Sequence, residues 1–400
     1  MHNQRPKGFF FSLPSISVDK TLMPLLEVLA LNGYEIIYYN TEAFRPDIPH
    51  HFTFKPYPNS YCGYDTKALN GTTTYYEFGE MLLDTTTSLM DFLLTEAQAG
   101  QPDFILHSHL AVWGKLLALH LKLPQVTLYT TFVLDEKIVL PHLQKTKKMR
   151  DAEHTGSAIH FYRRYQKIFQ RMALSTQPSI WDIYVNEGPL NLCCTLEALQ
   201  PCREVIGPHF HFIGYPFSAS IEAHDRTLIY VSMGTIFEGD ISFYKSCLRV
   251  LTMIPHSSVV VLGKKLDPNE LCPVPPHIQM CRFTNQASVL QRSLVFVSRG
   301  GMASVMEAVY SLTPLIVVPQ IPEQQLSAER IEALGIGMVI RPEDFNDEQF
   351  HAALQHVLAH RDQYVKQLQR LRDDIPEEAT ALLALKHINQ YLETYAVCYQ

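Results

Sequence analysis

The chain has 400 residues, 46% of them hydrophobic and 18% charged, with a formal net charge of -7 at pH 7. At roughly 150 residues per domain that length gives two or three domains, each able to bury a core. The acidic balance excludes a nucleic acid held by a global field, and no apolar run approaches the roughly 18 residues a membrane span needs. The eight cysteines form no CxxC pair. The apolar run after MHNQRPK is short for a signal peptide, so reduced thiols and a cytoplasmic location are expected.

In chain order, an apolar run over 8–13 is followed by a loop, PSISVDK, and a helical pattern over 21–31 that Asn32-Gly33 closes. A strand over 35–39 completes one strand, helix, strand unit. A second unit recurs as a strand over 103–106, a helix over 110–122 and a strand over 125–129. Between 131 and 189 the chain is basic and aromatic (KTKKMR, HFYRRYQKIFQR). That pattern fits either helices bordering an acceptor cleft or solvated helix faces. The pattern loosens over 211–224, the candidate linker. Strands over 227–232, 258–262, 295–298 and 315–318 then alternate with helices over 241–253, 302–312 and 323–334.

Such alternation predicts two parallel sheets covered by helices, with ligands beyond the carboxyl ends of the strands. The expected domains are 1–213, 214–385 and a C-terminal helix over 386–400 that can cross back to the first domain. The chain is compatible with a monomer or a homodimer.

Three loops in the second half carry candidate chemistry. The strand LIYVS runs into Met233-Gly234-Thr235, where backbone N–H groups and the Ser232 and Thr235 hydroxyls can meet an anion; a glycine there is also an ordinary turn. In LVFVSRGGMASVMEAVYSL, Arg299-Gly300-Gly301 leads straight into a helix. Exposed N–H groups, the helix dipole and a forked cation can hold a diphosphate without metal, although an arginine there is otherwise a surface charge. Glu307 on that helix can accept ribose hydroxyls. In PQIPEQQ, Pro322 and Glu323 suit a helix start, and Glu323 with Gln324 also suits sugar hydroxyls.

SMGT, FTNQASVL, SRGGMASVMEA, PLIVVPQIPEQ and AERIEALGIG, in that order over more than a hundred residues, resemble the macrolide and natural-product glycosyltransferases that use nucleotide sugars. The stretches TLMPLLEVLALNGYEIIYYNTEAFRP and PDFILHSHLAVWGKLLALHLKLP extend the resemblance to most of the chain outside 50–100 and 130–190.

The resemblance implies an α/β GT-B fold: two Rossmann-like, doubly wound parallel-sheet domains facing each other across a cleft. It implies an N-terminal domain that binds a small-molecule acceptor and a C-terminal domain that binds a UDP- or TDP-hexose, with no cofactor and no metal. Ser232, Gly234 and Thr235 would line the diphosphate, and Phe283 and Gln286 would border the base. Arg299, Gly300, Gly301 and Ser304 would hold phosphate, Glu307 the ribose, and Glu323 with Gln324 the sugar.

Four positions depart from the family pattern. Arg299 stands where a histidine is usual, and Ala303 where an asparagine is. Ser17 takes the place of the catalytic histidine, and Ser108 that of the aspartate orienting it. Three outcomes remain open: another base, namely Asp19, His107 or His109; an acceptor that needs little help, such as a phenol; or a catalytically silent protein binding a sugar nucleotide or a partner enzyme. Asp19 can equally cap the helix expected to start near Thr21, and an HxH pair is more often packing than metal. An epimerase or hydrolase on the same fold ranks last, for want of cleft carboxylates.

Overall fold

A computed structural model of the chain describes residues 5–58, 61, 75–143, 156–174, 179–216, 225–234, 241–263, 266–271, 273–376 and 379–399. The chain divides into two compact units, Met1–Pro216 with Pro376–Gln400, and Phe217–Ile375.

Unit 1 contains β1 (Lys7–Phe11), β2 (Glu35–Asn40), β3 (Thr53–Pro56), β4 (Phe104–Ser108), β5 (Gln125–Tyr129), β6 (Leu190–Cys193) and β7 (Phe210–Phe212). Its helices are α1 (Ile16–Leu31), α2 (Tyr75–Gly100), α3 (Val112–Leu121), α4 (Glu136–Leu143), α5 (Gly156–Arg171) and α6 (Trp181–Tyr184). The sheet runs β3-β2-β1-β4-β5-β6-β7 with every pairing parallel. Strand β1 shows why three consecutive phenylalanines suit its centre: Phe9 and Phe11 enter the core on one face and Phe10 the core on the other. A parallel strand covered on both sides can be apolar at successive positions.

Helix α1 begins five residues before the helical pattern expected from the sequence. Val18, Leu22, Leu25, Leu26 and Leu29 form one buried stripe, and Ser15 takes the extended N-cap conformation. Asp19 therefore lies inside the first turn and caps nothing. Pro24 sits within the helix.

The longest element missed by the sequence reading is α2. Phe78, Leu82, Leu89, Leu93 and Ala97 repeat at helical spacing and are buried, but Thr85-Thr86-Thr87-Ser88 reads as a loop. In the structure the three threonine hydroxyls donate to the carbonyls of Met81, Leu82 and Leu83, one turn back.

Unit 2 contains β8 (Leu228–Ser232), β9 (Ser257–Val261), β10 (Ile278–Cys281), β11 (Ser293–Ser298), β12 (Leu315–Val317) and β13 (Gly337–Val339). Its helices are α7 (Ile241–Thr252), α8 (Gln286–Gln291), α9 (Met302–Tyr310), α10 (Pro322–Ala333), α11 (Asp347–Ala359) and α12 (Arg361–Asp373). The sheet runs β10-β9-β8-β11-β12-β13, again all parallel. In both units the chain builds outward from the first strand and then returns to its other side. The switch points are β1/β4 and β8/β11, where doubly wound sheets open a crevice.

Unit 2 ends at Ile375 rather than near 385. Helix α13 (Thr380–Tyr399) belongs to unit 1, where Ala384, Leu385 and Ile388 join the core beneath α1. The Tyr34 hydroxyl donates to Asn389 Oδ1 at 2.5 Å and that of Tyr395 to the Lys122 carbonyl at 2.7 Å. Of the expected linker, His211 and Phe212 lie in β7, while 217–224 and the basic 145–150 fall outside the described residues. Among the described residues, no helix is long and apolar enough to cross a membrane.

Candidate functional site

At the β8/β11 switch point two loops converge. Gly234 has φ +74, and a Cβ there would stand 3.2 Å from Arg299 Nε and Nη2. A left-handed backbone pressed against a guanidinium admits glycine readily and other residues at a cost. Arg299 follows β11 directly. Gly300, with φ +86, tucks the same loop against β12, where a Cβ would lie 2.8 Å from Val317 Cγ1. Gly301 is the N-cap of α9 and makes no side-chain cap. The first N–H groups of α9 thus have no side-chain cap and lie at the positive end of the helix dipole, close in sequence to a permanent cation.

Further along α9, the Gln286 amide donates to Ser304 Oγ at 3.1 Å and to Glu307 Oε2 at 2.7 Å, and the Tyr230 hydroxyl donates to Gln286 Oε1 at 3.3 Å. Three residues the sequence assigned separately to base, phosphate and ribose therefore form one polar cluster. Tyr230, buried in β8, was missed because it reads as a core aromatic. Phe283, between β10 and α8, is 55% exposed. At the start of α10, Gln324 is buried and its amide oxygen accepts from Gln320 N at 2.9 Å. Glu323 beside it is half-buried, and its carbonyl accepts from Ser327 Oγ at 3.5 Å. Ser232 is buried at the end of β8, its Oγ 3.5 Å from Gly234 N. Thr235 lies outside the described residues.

At the β1/β4 switch point the candidates separate. Ser17 is exposed on the first turn of α1 and bonds Ser15. Asp19 points inward, 6% exposed. Its Oδ1 accepts from Ser12 Oγ at 2.5 Å and the Tyr38 hydroxyl at 2.7 Å, and its Oδ2 accepts from Asn40 Nδ2 at 2.8 Å. Burial pushes this carboxyl up to about 6 despite those donors. Ser108 is also buried, and its Oγ accepts from Leu13 N at 3.1 Å, tying the two loops together. The Tyr57 hydroxyl adds a bond to the Ser12 carbonyl at 2.9 Å.

The two histidines flanking Ser108 are both buried. His107 Nδ1 bonds the Ser108 carbonyl at 3.1 Å and its Nε2 lies 3.3 Å from Thr127 Oγ1. Burial holds its pKa down to about 3. His109 stacks on Tyr129 with ring centroids 5.2 Å apart, and burial holds it down to about 4. Its Nδ1 is buried without a hydrogen-bond partner. Among the described residues, no three His, Cys, Asp or Glu side chains gather to hold a metal ion.

The family model described as erythromycin biosynthesis protein CIII-like, C-terminal domain, matches residues 247–382. The NDP-glycosyltransferase YjiC of Bacillus subtilis is 26% identical over 393 residues, 96% of this chain and 97% of its own length. The uncharacterized UDP-glucosyltransferase YojK of the same organism is 27% identical over 368 residues, 87% of this chain and 86% of its own. Among solved structures, the glycotransferase of kitacinnamycin superposes with a TM-score of 0.84 at 22% identity, covering 97% of this chain and 99% of that one. Two doubly wound parallel sheets with this topology are the GT-B fold. The chain is similar to macrolide and natural-product glycosyltransferases over its second half and to NDP-glycosyltransferases over most of its length.

Proposed function

We propose that the chain moves a hexose from a UDP- or TDP-sugar to a small natural-product-like acceptor, in line and with inversion. The reaction uses no metal and no cofactor beyond the nucleotide sugar. One observation carries this reading: Arg299 lies against the left-handed Gly234 at the switch point of unit 2, beside the uncapped start of α9. As the acceptor oxygen bonds to the anomeric carbon, the bond from that carbon to the diphosphate oxygen breaks, and the electron pair leaves on the diphosphate. Arg299 and the α9 N–H groups stabilise that charge, where each well-placed donor contributes about 3–4 kcal/mol.

The acceptor's proton needs a destination. Both Asp19 oxygens are committed to Ser12, Tyr38 and Asn40, and serine hydroxyls do not titrate usefully. His109, at the end of β4 and neutral at pH 7, is the base this reading adopts. A base held so low is weak and matches an acidic hydroxyl, such as a phenol, better than an aliphatic alcohol.

Calorimetric titration with UDP, TDP and their glucose conjugates, followed by diphosphate release with a phenol and an aliphatic alcohol, tests the reading. Nucleotide binding with faster transfer to the phenol is expected. Binding without turnover of any acceptor would favour a catalytically silent GT-B protein, the reading that the burial of Asp19 and His109 supports. No binding with Arg299 intact would remove the donor assignment.

A further inference from the structure

The segment before β6 is held to the sheet in an unusual way. The Tyr129 hydroxyl donates to the Val185 carbonyl, and Thr127 Oγ1 to the Asn186 carbonyl at 3.3 Å. Asn186 Nδ2 in turn donates to the His109 carbonyl at 2.5 Å. Asn186 is fully buried and adopts φ +45, a conformation L residues other than glycine take at a cost that its surroundings must impose. Its Oδ1 is buried with no hydrogen-bond partner. The same is true of Nδ1 on His109, the residue its own amide grips.

Two unpaired polar atoms on residues joined by a side-chain to main-chain bond are unusual in a folded interior, where such groups are nearly always satisfied. They are complementary: a protonated Nδ1 is a donor and an amide oxygen is an acceptor. We infer that Asn186 is the positioning residue for His109, its Oδ1 accepting the Nδ1 proton across one bridging water, so that Nε2 is left bare to receive the acceptor's proton. The inference rests on His109 as base. The proton moves from the acceptor oxygen to Nε2 as that oxygen bonds to the anomeric carbon, and the transient imidazolium keeps its Nδ1 proton on the Asn186 side. An asparagine or aspartate behind a histidine fixes the tautomer in this way in other acyl- and group-transfer sites. Here the partner comes from the loop before β6 instead of the end of β4, where Ser108 Oγ accepts from Leu13 N.

The test reads tautomer and rate separately in the full chain. With 15N-labelled histidine, long-range proton–nitrogen spectra assign His109 by its loss in His109→Gln. In the wild type the Nδ1–H form is expected. Asn186→Ala should lose it and lower kcat toward a phenol by at least about tenfold, with UDP affinity within about twofold of the wild type because unit 2 is untouched. Asn186→Asp, which keeps an acceptor oxygen, should retain the Nδ1–H form and recover most of the rate, whatever stability either variant loses. An Nε2–H wild type, or an Nδ1–H form that survives in Asn186→Ala, overturns the inference. A His109→Gln enzyme as fast as the wild type would instead remove the base reading, and the tautomer measured without acceptor keeps the two failures apart.

Discussion

The two switch points share a topology and differ in what fills them. Beyond β8 and β11 the loops carry glycines at φ +74 and +86, a guanidinium and a helix start without a side-chain cap. Beyond β1 and β4 the corresponding loops are sewn together by side chains: Asp19 by Ser12, Tyr38 and Asn40, and Leu13 by Ser108. Glycine leaves a crevice for a ligand to complete, whereas short polar side chains complete it from within. The same frame thus yields the proposed anion site in one unit and a side-chain-bonded scaffold in the other.

The largest effect expected from this contrast is a pH dependence of stability in unit 1. Asp19 titrates near 3.8 when unfolded and about 6 when folded. The folded state therefore binds more protons between those values, and stability falls as pH rises through the window. A shift of about two units is worth about 3 kcal/mol, so urea unfolding should show the wild type losing roughly that much relative to Asp19→Asn between pH 4 and pH 7. Parallel curves for the two proteins would mean that Asp19 is not the buried acid described.

Next in size is Arg299→Ala, expected to weaken UDP binding by about 2–3 kcal/mol, roughly 30- to 160-fold, by calorimetry, with unit 1 unfolding unchanged. A loss under about threefold would put the anion elsewhere. Arg299→His should sharpen the point: UDP affinity, flat above pH 7 in the wild type apart from the nucleotide's own titration, should decline as the imidazole deprotonates around pH 6.5. The smallest effect belongs to Ser17→Ala. Among the described residues this exposed side chain bonds Ser15, and its loss should change stability by less than about 0.5 kcal/mol and leave transfer to a phenol unaltered.

Much of the fold was legible because its determinants are local. Strand-and-helix alternation marks parallel sheets, and Arg299-Gly300-Gly301 between an apolar run and a helical pattern places a loop at a strand end. Helix α2 was hidden by its threonine run, whose back-bonded hydroxyls behave as helix but spell loop. Helix α1 was started five residues late because PSISVDK reads as a polar loop, which turned an interior acid into an expected cap. The partners of Asp19 and His109 were beyond reach for a different reason. Tyr38, Asn40 and Asn186 arrive from later strands and loops, and nothing in their own neighbourhoods says what they will touch. Whether a buried nitrogen ends up unpaired is a property of the assembled interior, not of any segment.

Helix α13 joins α1 only after the chain has traversed the whole of unit 2. During synthesis at about 5–20 residues per second, the ribosome finishes the seven strands of unit 1 well before it makes Thr380–Tyr399. Until then the α1 face around Leu22, Leu25 and Leu26 lacks its final cover. Unit 2 can fold as a contiguous insert during that wait, so the discontinuous unit is the last to be sealed and the one more exposed to proteolysis and aggregation in a nascent chain.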